Sequence, residues 1–132
     1  MVVIDTHALI WLAAGSSQLG KRAKAMIGKH WDAGNAAVSA ITFWEAAMLV
    51  AQDRVKLPPV DQWRTSRIES GLKEIALDGE IAVRAAGLGL VPADPADRFI
   101  VATALLSNAT LVTADARLLA WPGALKRLDA RS

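Results

Sequence analysis

Short runs of β-branched or small apolar residues recur along this chain, each followed by a helix-length segment, and this alternation narrows the fold more than anything else. Val2-Val3-Ile4 ends in Asp5. It has the unbroken apolarity of a strand covered on both faces. Thr6 to Ala14 then carries Leu9, Ile10, Leu12 and Ala13 at helical spacing, and Gly15-Ser16-Ser17 stops it. Residues 19–31 form a second helix with Lys21, Arg22, Lys24 and Lys29 on its polar side. Gly34-Asn35 is a turn leading into a strand at Ala36-Ala37-Val38-Ser39. Ile41 to Gln52 is a strongly apolar helix, Pro58-Pro59 a loop, and Asp61 to Gly71 a more polar helix. Glu74 to Leu77 is the third strand, and Asp78 caps a helix from Gly79 to Leu88. A loop over 87–92 leads through Asp94-Pro95-Ala96-Asp97 into a helix at Arg98 to Ser107. Thr110 to Thr113 is the fourth strand, 116–120 a short helix, and Leu125 to Leu128 a fifth strand at the edge.

This order of elements points to an α/β fold with a mainly parallel, five-stranded sheet covered by helices on both faces. At 132 residues, with no repeat, linker or low-complexity stretch, the chain is expected to be one domain. Hydrophobic residues make up 53% and charged ones 21%, which excludes a disordered composition. There is no cysteine, so disulfides, zinc fingers and iron–sulfur clusters are excluded. That absence fits a reducing cytoplasm. No apolar run reaches the roughly 18 residues needed to span a bilayer. Asp5 comes too early for a secretory signal.

Three acids stand where open α/β sheets put their ligands, at or just past the carboxyl ends of strands or at the start of the next helix. Asp5 follows the first strand, Asp115 lies two residues beyond Thr113, and Asp97 opens a helix. A fourth, Glu45, projects from the first turns of the Ile41 helix, just after the second strand. A parallel sheet allows all four to meet at one rim. At an effective dielectric of about 20 and about 6 Å separation, each like-charge pair costs about 3 kcal/mol. Six pairs give an upper figure of roughly 17 kcal/mol, at least as large as the whole stability of a domain. Such a cluster needs a cation. Hard oxygen donors suit Mg²⁺ or Mn²⁺. Setting four acids aside leaves nine of the 13 against 15 bases, a basic body around an acidic pocket. That balance suits a polyanionic substrate.

Each acid alone also has an ordinary explanation. Asp5 could simply end a strand. Thr42-Phe43-Trp44-Glu45 fits a capping box. Asp94 and Asp97 both resemble helix N-caps, Asp94 the better one because Pro95 follows it. Asp115 could cap the short helix after it. Thr6 and Thr113, beside site acids, could hydrogen-bond a ligand or stabilise the strand ends. His7 is expected to make a structural hydrogen bond and His30 to be exposed. Trp11 and Trp44 are expected in the core, with Trp31, Trp63 and Trp121 partly exposed. Lys21, Arg22, Lys24, Lys29, Arg54, Lys56, Arg64, Arg67 and Lys73 could line a path for the phosphates of a polyanion or form solvated helix faces.

The joint order of these acids is more specific than any one of them. Residues 2–11, Val-Val-Ile-Asp-Thr-His-Ala-Leu-Ile-Trp, resemble the opening of PIN-domain proteins, especially VapC-type toxins of toxin–antitoxin systems. Ser39 to Glu45, Asp94-Pro-Ala-Asp97 to Ala104, and Leu111 to Asp115 resemble the family's second, third and fourth acidic motifs in order. The resemblance implies a three-layer α/β/α fold and a Mg²⁺-dependent endoribonuclease, with Mn²⁺ as a possible substitute. It implies a catalytic quartet of Asp5, Glu45, Asp97 and Asp115, with Asp5, Asp97 and Asp115 on the metal. Asp94, Thr6 and Thr113 are secondary candidates. It further implies a homodimer and a cognate antitoxin whose C-terminal segment lies over the active-site groove. Ala96 stands where a bulkier aromatic is common in the family, which should alter packing and not chemistry. The alternative is a non-catalytic PIN-like module that binds RNA or protein; the intact quartet argues against it. A receiver domain or aspartyl-phosphate hydrolase would need acids where Thr6 and His7 stand, and no phosphate-binding glycine loop follows a strand.

Overall fold

Val2, Val3 and Ile4 have no solvent exposure, and the strand they form is the middle of a five-stranded sheet. The structure is a computed structural model that describes residues 1–89 and 94–132. Its elements are β1 (Val2–Ile4), α1 (Thr6–Ala14), α2 (Lys21–Asp32), β2 (Ala36–Ser39), α3 (Ile41–Ala51) and α4 (Val60–Glu69). There follow β3 (Lys73–Ile75), α5 (Gly79–Ala86), α6 (Pro95–Leu106), β4 (Thr110–Thr113), α7 (Ala116–Ala120) and β5 (Arg127–Asp129). The strand order is β3-β2-β1-β4-β5, and every pairing is parallel. Val2 lies opposite Ala36 on one side and Thr110 on the other. The chain therefore leaves β1 in one direction and returns to its other flank later. The carboxyl end of β1 is the switch point where such sheets open a crevice.

Alternation along the strands builds the layers. Val2 and Ile4 pack with Leu9 of α1, Ile27 of α2, Phe43 of α3 and Trp63 of α4. Val3 and Leu111 face the opposite way, into Ile81 of α5, Ile100 of α6 and Leu118 of α7. The result is the expected α/β/α arrangement. Helix α1 ends because Gly15 takes a left-handed conformation (φ +63°), which a side chain would resist. Asp78 caps α5 by accepting from the Ile81 N–H at 2.9 Å.

Several boundaries differ from the sequence reading. The third strand runs over Lys73–Ile75, so Ala76 and Leu77 lie outside the sheet. As an edge strand it needs little apolarity, and the apolar Ala76-Leu77 pair misled. Helix α6 starts at Pro95, three residues earlier than expected, because Asp94 caps it and proline suits the first turn. The fifth strand is Arg127–Asp129. The 87–92 loop lies partly outside the described residues. The tryptophans are partly inverted. Trp44 is 54% exposed, and Trp63 is only 4% exposed, edge-on to Phe43 at 6.0 Å. Phe43 and Trp44 are neighbours roughly 100° apart around α3, so one helix face admits only one of them. His30 is half-buried, with Nδ1 2.9 Å from the Met26 carbonyl.

Candidate active site

Asp5 ends β1 and caps α1, and it is 6% exposed. Its Oδ1 accepts from the Thr6 N–H at 2.7 Å, and its Oδ2 accepts from the Thr113 hydroxyl at 2.6 Å. Thr113, at the end of β4, in turn accepts from the Asp115 N–H at 3.1 Å. A short relay therefore ties the ends of two adjacent strands together and fixes Asp5 against the loop carrying Asp115. Burial raises the Asp5 carboxyl above its usual range, against the lowering effect of those two donors.

Glu45 stands in the second turn of α3, half-buried, and no capping box forms there. Thr42 is fully buried, and its Oγ1 accepts from the Thr6 hydroxyl at 3.1 Å, joining α1 to α3. Burial raises the Glu45 carboxyl, with the Thr6 hydroxyl opposing and the charges of Asp5 and Asp94 adding to the rise. Asp97 lies in the first turn of α6 and is 6% exposed. Burial first, and then the charges of Asp5, Asp94, Asp115 and Glu45, push its carboxyl up to about 7. Asp94 is exposed and caps α6 by accepting from the Ala96 N–H at 3.0 Å. Asp115 caps α7 through the Arg117 N–H at 2.8 Å, and it makes a surface ion pair with Arg117 at 3.6 Å.

Asp5, Glu45, Asp97 and Asp115 all line one cavity of about 470 Å³, with Arg54 and Arg131 among its walls. At its edge, carboxylate oxygens of Glu45 and Asp97, which line it, come within 4.8 Å of each other and of Asp94, which does not. The structure thus brings all four quartet acids to one rim. It draws Asp94 into the tightest group and leaves Asp5 and Asp115 outside that group. Asp94 and Asp97 are N-cap and third helical residue, one turn apart. That i, i+3 spacing across a helix start is the signal in the sequence that pairs them.

Other expectations change. His7 is exposed and makes no hydrogen bond among the described residues; its ring lies 6.3 Å from that of Trp11, tilted by 45°. Its charge acts instead on the neighbouring Asp5 carboxyl, without a hydrogen bond. Of the nine cations proposed as a path, Arg54 alone lines the acid cavity, and Arg64 is engaged by Glu74 in a two-bond ion pair at 2.8 Å. Arg131 and Gln18 were not anticipated as cavity residues; nothing in their local sequence marks them.

The donor set fits a hard divalent cation. Its charged donors are all carboxylates, backed by threonine hydroxyls, and softer thiolates are absent from the chain. The Asp97 carboxyl is raised first by burial and then by the four neighbouring acids, and a bound cation would offset both effects.

This fold and site define a small parallel α/β protein with an acidic centre at the sheet's switch point. The family model for the PIN domain matches residues 2–122, and the chain belongs to that family. It is similar to Ribonuclease VapC22 of Mycobacterium tuberculosis (strain ATCC 25618 / H37Rv), at 35% identity over 119 residues, 89% of this chain and 88% of that one. Among solved structures it resembles a toxin–antitoxin complex from Klebsiella pneumoniae, with TM-score 0.66, 23% identity and 98% of each chain covered. It also resembles VapBC2 from Rickettsia felis bound to a promoter DNA fragment, with TM-score 0.63, 18% identity, and 97% of this chain and 98% of that chain covered. At these identities the structural likenesses speak for the fold.

Proposed function

We propose that this chain is a Mg²⁺- or Mn²⁺-dependent endoribonuclease, the toxin of a toxin–antitoxin pair, working in the cytoplasm as a single PIN domain. The observation that carries this reading is the gathering of Asp5, Glu45, Asp97 and Asp115 on one cavity, with Asp94 beside them. The 35% identity to a protein named as a ribonuclease supports the reaction class.

In this reading Asp5, Asp97 and Asp115 are metal ligands, and Glu45 and Asp94 complete the carboxylate shell around Asp97. A divalent ion held there would make a bound water more acidic and offset charge on the phosphoryl oxygens. The chain's own groups supply the rest. Thr6 N–H and the Thr113 hydroxyl hold Asp5 in one orientation. The half-buried Glu45 carboxylate, raised by burial and by the charges of Asp5 and Asp94, would orient a water at the centre and could accept its proton at a carboxylate oxygen. Arg54 and Arg131 bring positive charge to the cavity wall, where the phosphate backbone of RNA would run.

The antitoxin reading is supported by the toxin–antitoxin complexes of the same fold. A homodimer is supported by Trp44, 54% exposed, and Met48, 39% exposed, one turn apart on α3. The decisive experiment incubates the purified chain with single-stranded RNA in Mg²⁺, in Mn²⁺ and in EDTA. Cleavage is expected with either metal and not in EDTA, and Asp5→Asn and Asp97→Asn should each abolish it. Full cleavage in EDTA would refute the metal role. RNA binding without cleavage in either metal would return the chain to the non-catalytic PIN-like module.

A further inference from the structure

We propose that His7 and Trp11 form a nucleotide-stacking subsite on the wall of the acid cavity, seating one base of a single-stranded RNA beside the carboxylates, with Arg54 on a neighbouring phosphate. The proposal rests on the nuclease reading and names how the substrate is held.

His7 and Trp11 are one turn apart on α1, on the same side of the helix, and both line the cavity that holds Asp5, Glu45, Asp97 and Asp115. His7 lies two residues beyond Asp5, so its ring leaves α1 close to the acid centre. It is exposed and makes no hydrogen bond among the described residues; its ring meets that of Trp11 at 6.3 Å, and its charge acts on the buried Asp5 carboxyl. Trp11, in contrast, is held. The Arg131 guanidinium sits 5.2 Å from its ring centroid and donates to the Ala114 carbonyl at 2.8 Å, next to Asp115. One aromatic ring is thus braced against the loop of a site acid, and a second, solvent-exposed ring lies beside it.

Every nucleobase has a flat π-face, and protein rings next to a cationic groove exploit it without reading sequence. A cavity of about 470 Å³ is in the range that encloses a small ligand, a single nucleotide among them. Its walls carry both signs of charge, from Arg54 and Arg131 and from the four carboxylates. This mixture matches a polyanion that brings a divalent cation with it. An apolar protein segment would gain little from it.

The test is fluorescence anisotropy of a labelled single-stranded RNA decamer with the full chain in EDTA, which removes cleavage from the readout, across a range of salt. His7→Ala should raise Kd about tenfold, and His7→Phe, which restores a flat ring, should return it close to wild type. The salt slope should be unchanged in both. Arg54→Ala should instead lower the slope of log K against log salt by about 0.7, the share of one phosphate on a single strand. Wild-type binding by His7→Ala, or equal weakness of His7→Ala and His7→Phe, would overturn stacking. An unchanged slope in Arg54→Ala would overturn the phosphate contact. Cleavage by Asp97→Asn in Mg²⁺ separates the two readings. If that variant cuts like wild type while His7→Ala binds poorly, the metal-centre reading fails and the subsite stands. If Asp97→Asn is dead while His7→Ala binds normally, the subsite fails alone.

Discussion

Asp97 is surrounded by other acids and nearly buried, and its carboxyl is pushed up to about 7. In the unfolded chain it would titrate near its ordinary 3.8. Between those values the native state holds a proton that the unfolded state has released, so stability falls as pH rises from about 4 through 7. The metal-free protein should therefore be more stable at pH 5.5 than at pH 7.5, by on the order of 1–2 kcal/mol from this group. Urea titrations in EDTA at the two pH values check this, and in Asp97→Asn most of the difference should vanish. Thr113 gives a prediction of the opposite kind. Thr113→Val keeps the shape but removes the donor to Asp5 Oδ2 and the acceptor for the Asp115 N–H. A loss of about 1–3 kcal/mol in urea unfolding is expected. Asp5, Glu45, Asp97 and Asp115 were each legible in the sequence as acids after strands or at helix starts. The relay through Thr113 was not, because it joins residues 108 positions apart. Nor did the sequence mark Arg131, whose role comes only from a C-terminal strand laid beside β4.

At the scale of elements, the strands were legible because buried parallel strands must be apolar on both faces. Val2-Val3-Ile4 and Thr110 to Thr113 stand where that rule puts them. The edge strand β3 was displaced because Lys73 and Glu74 can face solvent there, leaving composition with little to say. Helix α4 hid its single buried residue, Trp63, among polar neighbours. Asp94 and Asp78 act as caps, as their positions before Pro95 and Gly79 suggested. Asp78→Ala should cost about 1 kcal/mol of stability with RNA cleavage intact. Asp94→Ala should cost about the same and weaken cleavage as well, because Asp94 joins Glu45 and Asp97. Denaturation paired with a cleavage assay on both variants separates a cap from a cap that also belongs to the site. Equal effects on cleavage would show that Asp94 is only a cap.

For the whole molecule, a sheet whose chain turns opposite ways at β1 gathers acids from the β1–α1 junction, α3, α6 and the β4–α7 loop at one rim. The residues beneath them, Ile100, Val101 and Leu111 among others, are fully buried and carry the elements that form the rim. Ile100→Ala should cost about 2–5 kcal/mol and lower activity only as the folded fraction falls. On the opposite account, Trp44→Ala should leave monomer stability nearly unchanged yet shift sedimentation toward the monomer. These outcomes bear on the frame and the partner face. The centre itself is tested by counting metal. Free Mn²⁺ followed by electron paramagnetic resonance, titrated into the purified chain at pH 7.5, should show saturable uptake by the wild type. Asp97→Asn and Glu45→Gln should each weaken that uptake at least about tenfold, more than 1.4 kcal/mol. Uptake by both variants equal to wild type would mean that these carboxylates share no ion.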